Sequence, residues 1–421
     1  MVRCSEKALE ECDVVVVGGG SAGVAAAVGA AQAGARTRLI EKYPFLGGAA
    51  TAASVSIYCG FFDQNRQRVV DGVGGQVLRR LRDRRVYREG SFSWSGNTFV
   101  LLDVETTKSV LDDEIAAAGV DVRLHSVVVD SRQKDGRIGD IEVSDSAGRH
   151  RIAARAFVDA SGDGVLCALS GAAVRVAPLA QRQTSTLVSR FGGVAPDADL
   201  SPGGMCAAVA AYNATADQPL KRDRGVLARL PVTAEVIALV VDEHVDALDP
   251  VKLTGAEISG RRQARAYLDA FRATLPGWRH AFLLGTGPQL GIRDSRRLIG
   301  REEVRGTDVL GARKRPDDSI ARCGWPMEIH DGPGVTRYEP IEGKGWYDIP
   351  YGAICSAGLD NLWAAGRLVG SDNDAFASLR VMGTSFATGH AAGVAAALYT
   401  RGVEHDTRAV RAELLRQGAM V

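Results

Sequence analysis

Cysteine occurs seven times, but Cys4, Cys12, Cys59, Cys167, Cys206, Cys323 and Cys355 are scattered, odd in number and never spaced as C-x-x-C. Such spacing argues against a disulfide framework, a zinc knuckle and a dithiol redox pair, so any redox chemistry must come from a cofactor. Histidine is equally sparse, and no His-x-x-x-His or Glu-x-x-His pairing sets ligands on one helix face; no metal site is expected. The chain also lacks a charge excess: 51 Lys+Arg against 50 Asp+Glu leave a formal charge of +1. No global field therefore draws it to nucleic acid or anionic lipid. Long apolar runs are missing too, since Gln32 and Arg36 interrupt the first one and the opening MVRCSEKALEECD carries charges where a secretory signal needs apolar residues. These absences lead to the expectation of a cytoplasmic protein with no membrane or nucleic-acid partner, its oligomeric state left open.

What is present is apolar residue and glycine. With 421 residues, 46% of them hydrophobic, the chain can bury a large core and suits two or three domains. Its beginning reads as a βαβ unit: a buried strand over 13–17, a helix of small residues over 21–33 and a strand over 37–41. A helix over 106–118 and strands over 122–129, 138–143 and 156–159 extend the α/β pattern to about Gly171. Loop-like stretches such as VAPDADLSPGG and ATADQPLKRDRG then alternate with β-rich runs such as 232–241, and a helix over 260–274 stops at Pro276. From Gly358 the first pattern returns, with NLWAAGR, an alanine- and glycine-rich helix near 385–399 and a last helix over 406–418 capped by Asp406. The expected organisation is α/β, with a first part at 1–175, a β-rich α+β insertion at 176–349 and a returning part at 350–421.

The turn VVVVGGGSAG carries the strongest signal. Gly18 permits a tight strand-to-helix turn, Gly20 lets a pyrophosphate approach bare backbone, and Gly23 allows close helix–strand packing, with the helix N-terminus facing the negative charge. Glu41 ends the next strand, where a carboxylate accepts hydrogen bonds from both hydroxyls of an adenosine ribose. NAD and FAD share this ADP half, so the turn does not choose between them. Two later segments suit the other half: EKYPFLGGAAT, with Gly47 and Gly48, and FVDASGDG, with Gly162.

These motifs, together with GIRDSRRLIG, DSIARCGWPMEIHD, YDIPYGAI and DNLWAAGRLVGSDNDAFASLRVMGTSFATGHAAGVAAAL, resemble a family of FAD-dependent oxidoreductases. Its members carry a glutathione-reductase-type, Rossmann-like flavin domain, distantly like that of fumarate reductases. The resemblance covers 14 to about 400 and implies FAD as the cofactor. It assigns Gly18, Gly20, Ser21, Gly23, Glu41, Lys42, Gly47, Gly48 and Thr51 to the ADP portion, with Gly162 nearby. Gly366 and Arg367 are expected at the pyrophosphate or ribityl chain. The helix starting near Gly383, with Ser385 in its first turn, is expected to aim its N-terminus at the flavin edge where charge develops on reduction.

Catalysis needs a substrate pocket against the flavin, and the motifs between the glycine turns are its candidate walls. His330 titrates near neutrality when free and can take an O–H or N–H proton while hydride leaves the adjacent carbon. Arg293, Arg296 and Arg297 offer guanidinium forks for a carboxylate; strand alternation would put Arg293 and Arg297 on one face. Arg380, closest in sequence to the expected flavin end, is the first choice for a substrate anion. Asn373 stands where the family often has histidine, and it cannot ionise near neutral pH. The leading expectation is hydride transfer between a small polar or anionic substrate and flavin. The alternative is a flavin monooxygenase or halogenase, to which Tyr347-Asp348-Ile349-Pro350 bears a faint resemblance.

Overall fold

The computed structural model describes residues 9–92 and 95–421, so the expectations placed on Cys4 and on the opening segment lie outside the described residues. Four consecutive valines, Val14 to Val17, can be buried on both faces only in the interior of a parallel sheet, and that is where they lie. Strand Glu10–Val17 pairs in parallel with Thr37–Ile40 on one side and with Gly148–Asp159 on the other. Asp121–Arg123 extends the sheet beyond Thr37–Ile40, while Arg137–Asp145 and Val127–Lys134 continue it as an antiparallel meander.

The returning chain inserts Leu362–Ala364 in parallel against Phe157–Asp159, beside the half of that long strand that the meander leaves free. The sheet is thus α/β and Rossmann-like. It brings the C-terminal ends of three parallel strands, at Val17, Asp159 and Ala364, to one side, where open α/β sheets bind their ligands.

Two helices cover this sheet almost backbone to backbone. Ser21–Gln32 and Met382–Thr400 meet along small residues, because a Cβ at Gly389 would stand 2.1 Å from Ala22 O and one at Gly393 would stand 1.9 Å from Ala26 O. Alanine at Gly393 must push the helices apart, and the expected cost is about 3 kcal/mol. Thermal and urea unfolding of Gly393→Ala check this; an unchanged midpoint would refute the close packing.

A second core lies elsewhere. The antiparallel sheet ordered Val226–Arg229, Val236–Glu243, Ser185–Gly192, Phe282–Thr286 packs Leu187 and Phe191 against Phe271 and Trp278. Helices Pro202–Asn213 and Pro250–Thr274 complete it. By contrast, Ile320, Cys323, Trp325, Tyr347 and Ile349 share the core of the parallel sheet's helices. The segment read from sequence as one insertion, 176–349, therefore contributes to two cores.

Other differences have local causes. Helix Pro250–Thr274 starts ten residues before the expected start, with Pro250 in its first turn and Asp249 accepting from Val251 N and Lys252 N. Gly255 and the loop-like DEHVDALDP before it hid this, because glycine inside a helix reads as a break. The expected strand over 122–129 is divided at His125, whose φ of 54° turns the chain from the parallel sheet into the meander. The strand expected at 232–241 begins only at Val236, after a turn.

Candidate functional site

A cavity of about 240 Å³ opens at the ends of the three parallel strands. The strand-to-helix turn forms its floor. Gly18 adopts φ +97°, and a Cβ on Gly23 would stand 1.7 Å from Gly18 O, so Gly23 serves helix packing and stays out of the cavity lining. Gly20 does face the cavity: a Cβ there would meet only Gly48 Cα, at 3.7 Å. The cradle is therefore open where backbone must be approached closely.

Ser21, Glu41, Lys42, Gly48, Gly162, Gly366, Arg367 and Ser385 join Gly18 and Gly20 in the lining. Glu41 is buried, and its oxygens accept from Gly19 N at 2.5 Å and Tyr43 N at 2.9 Å. Burial raises its pKa against these two N–H donors. Arg367 donates to Asp163 Oδ1 at 3.2 Å, and its Nη1 is buried with no hydrogen-bond partner among the described residues. A buried guanidinium nitrogen left unpaired on a glycine-lined floor suits a bound pyrophosphate.

Besides Gly23, three expected ligands of the cofactor are placed differently. Gly47 supports the turn, its N–H donating to Gly19 O at 2.8 Å. Thr51 is buried with its hydroxyl on Leu46 O at 2.6 Å. Gly383 allows the long helix to pass Gly60, whose carbonyl carbon would lie 2.5 Å from an added Cβ. None of the three lines the cavity.

Sequence reading missed the roof. Leu253 and Glu257, from the helix Pro250–Thr274, and Gln289 line the same cavity, and Tyr43 O–H bonds to Gln289 Oε1. These contacts come from tertiary folding and had no local signature.

A second cavity of about 170 Å³ adjoins the first, and Ala49, Gly291, Ile292, Arg367, Arg380 and Met382 line both. Met382 opens the helix Met382–Thr400, whose N-terminus carries no side-chain cap. Its free N–H groups and dipole favour negative charge at the junction.

Arg293, Glu328, His330 and Arg380 converge on this second cavity. Strand Met327–Gly332 sends Glu328 and His330 to one face, two residues apart, a spacing that would have flagged Glu328 from sequence. Glu328 accepts from Trp325 Nε1 at 3.1 Å and Tyr338 O–H at 2.9 Å. Burial opposes its ionisation, but the contacts with His330 and Arg380 outweigh burial and hold its pKa well below the usual carboxylate range. His330 Nδ1 lies 3.0 Å from Thr336 Oγ1 and Nε2 lies 3.4 Å from Glu328 Oε1. Burial first, and the Arg293 charge second, push its pKa down to about 4, so the imidazole is neutral at pH 7.

Arg293 donates to Thr184 O, and Arg380 donates to Gln183 Oε1 at 3.1 Å and to the Glu328 backbone O at 3.0 Å. Burial and the neighbouring Arg380 charge bring Arg293 down to about 10, and it remains charged at pH 7.

Three sequence expectations need correction. Arg293 precedes the strand Arg296–Leu298, so alternation does not pair it with Arg297. Arg297 is instead fully buried, donating to Asp372 O at 2.8 Å with its guanidinium 4.8 Å from the Phe376 ring centre. Asn373 is exposed, accepts from Arg297 and donates to Gln181 Oε1 at 3.0 Å, away from both cavities. Strand Tyr347–Pro350 lies buried in the core and lines neither cavity. Cys59, treated in sequence as merely dispersed, does line the second cavity, with burial pushing its thiol pKa far up.

Among the described residues no helix is long and apolar enough to cross a membrane, and no group of three His, Cys, Asp or Glu side chains suits a metal. A family model described as FAD dependent oxidoreductase matches residues 13–417. Over 58 residues, 14% of this chain, the sequence is 43% identical to a fumarate reductase (cytochrome) of Shewanella frigidimarina, and the match spans only 10% of that relative's length. Among solved structures, the flavin-dependent brominase Bmp2, as a triple mutant, aligns with a TM-score of 0.50 at 12% identity, covering 97% of this chain and 84% of the brominase. A geranylgeranyl bacteriochlorophyll reductase-like protein of Thermoplasma acidophilum aligns with a TM-score of 0.49 at 15% identity, covering 98% and 85%. At such identities the brominase shares the fold, and nothing about substrate follows from it.

Proposed function

The chain belongs to the FAD dependent oxidoreductase family, and we propose that it moves a hydride between a small polar or anionic organic substrate and flavin N5. The observation that carries this reading is the junction of the two cavities at Arg367, Arg380 and Met382. One cavity has a dinucleotide's glycine floor; the other gathers cations, a carboxylate and an imidazole. FAD, when bound, supplies the two-electron acceptor or donor. Gly18, Gly20, Ser21, Glu41, Gly48, Gly162, Gly366, Arg367 and Ser385 would hold it, with Lys42 at the rim.

The remaining work falls to the protein. Arg380, with Arg293 beside it, fixes the substrate's anionic group and so orients the carbon that exchanges hydride. His330, neutral at pH 7, takes the proton released from an adjacent O–H or N–H, and Glu328 stabilises the imidazolium that results. An anion seated on Arg293 also offsets the charge that depresses His330, so substrate binding makes the base stronger. The apolar walls keep water from the exchange.

This cycle has a pH signature. The free protein loses activity when His330 is protonated, so kcat/KM should fall as pH drops through about 4. The limb in kcat should lie at higher pH, because bound anion raises the imidazole's basicity. Steady-state pH profiles check the order of the two limbs; a kcat limb below the kcat/KM limb would contradict the role given to Arg293.

A further inference from the structure

The second cavity has more apolar wall than its charged end requires. Ile57, Phe92, Val226 and Leu239 line it, and Trp325 joins them with its ring N–H on Glu328. At the charged end, Arg293 and Arg380 share the lining with one carboxylate, Glu328, while the other carboxylates that act on them, Asp242 and Asp294, are matched by Arg222 at 2.6 Å and by Arg297. Their hydrogen bonds go to neutral oxygens of Thr184, Gln183 and the Glu328 backbone. Arg367, the remaining cation of the lining, is paired with Asp163 at 3.2 Å. The end therefore holds two guanidinium charges against one carboxylate charge, an excess of one.

We infer that this cavity takes an organic acid with one carboxylate on an apolar aliphatic or aromatic body, and discriminates against dicarboxylates; the inference rests on the function proposed above. A single carboxylate cancels the surplus charge and finds planar donors of matching geometry. A second carboxylate has to leave water for a wall of Ile57, Val226 and Leu239, where, among the described residues, no cationic side chain joins them and the Thr186 hydroxyl is already on Asp242. A neutral analogue leaves the surplus guanidinium charge uncompensated in a buried setting, which costs most of the affinity.

The test is isothermal titration of the FAD-loaded protein with benzoate, hexanoate, benzamide and succinate. Benzoate and hexanoate should bind on the order of tenfold or more tightly than succinate, and benzoate likewise over benzamide. Arg293→Met and Arg380→Met should each remove the preference for benzoate over benzamide. Succinate binding as tightly as hexanoate, or benzamide as tightly as benzoate, would overturn the inference even if FAD is bound and reducible. Should the protein instead fail to load FAD, the proposed function falls, while the same titration of the protein as purified still reads the acid preference.

Discussion

His330→Ala is expected to slow reduction of the bound flavin by substrate by two to four powers of ten, on the order expected for loss of a positioned proton acceptor. Substrate binding should change little, because the anion is held by Arg293 and Arg380 on neighbouring segments. Arg380→Lys should behave in the opposite way. It keeps the charge but loses the planar fork that reaches both Gln183 and the Glu328 backbone, so the Kd for an anionic substrate should rise before the rate falls. Single-turnover reduction across a substrate series separates the two, with the limiting rate reporting the base and the half-saturating concentration the anchor. Wild-type rates in His330→Ala would move proton transfer to another group of the cavity. Loss of FAD from either variant would show a cofactor or structural role.

The second large effect concerns cofactor retention. Gly20→Leu should yield folded protein purified without FAD. Gly20 lines the first cavity, and its Cβ direction meets only Gly48 Cα at 3.7 Å, so leucine occupies the floor instead of colliding with protein. Gly23→Ala gives the contrast, since its Cβ would stand 1.7 Å from Gly18 O and must displace the helix. Gly20→Leu should thus lose the yellow colour with a near-native unfolding transition of the apoprotein, and Gly23→Ala should lose both. Full FAD occupancy in Gly20→Leu would remove the assignment of this turn to the pyrophosphate.

How far the sequence revealed the fold depended on the range of the signal. The βαβ unit was legible because Val14 to Val17 and the glycine turn are local patterns with one physical reading each. The helix over 250–274 was expected to start only at Gly260, because Gly255 and the loop-like DEHVDALDP before it hide the first turns, and Gly260 is seen to be interior only from its close packing on Leu187. Among residues that line the first cavity, those on the glycine turn and around Arg367 were named from motifs, whereas Tyr43, Gln289, Leu253 and Glu257 reach it only through tertiary folding. Arg293 lines the second cavity, but the face expected for it beside Arg297 fails, because a three-residue strand starting at Arg296 cannot impose alternation on a residue three positions earlier. Glu328 was within reach, two residues from His330 in a strand, and needed only the alternation rule to be applied there.

Direct hydride exchange between substrate and flavin across the joined cavities is tested most directly by anaerobic mixing. The FAD-loaded protein is combined, without oxygen or nicotinamide, with a panel of organic acids carrying an oxidisable C–H beside an O–H or N–H group. The account predicts that at least one acid bleaches the oxidised flavin band in a single phase, is recovered as its two-electron oxidised product, and shows a primary deuterium isotope effect at the carbon that loses hydride. Flavin that is reduced only by a nicotinamide nucleotide, with an oxygen atom from O2 then found in the product, would contradict it and establish the oxygen-using alternative.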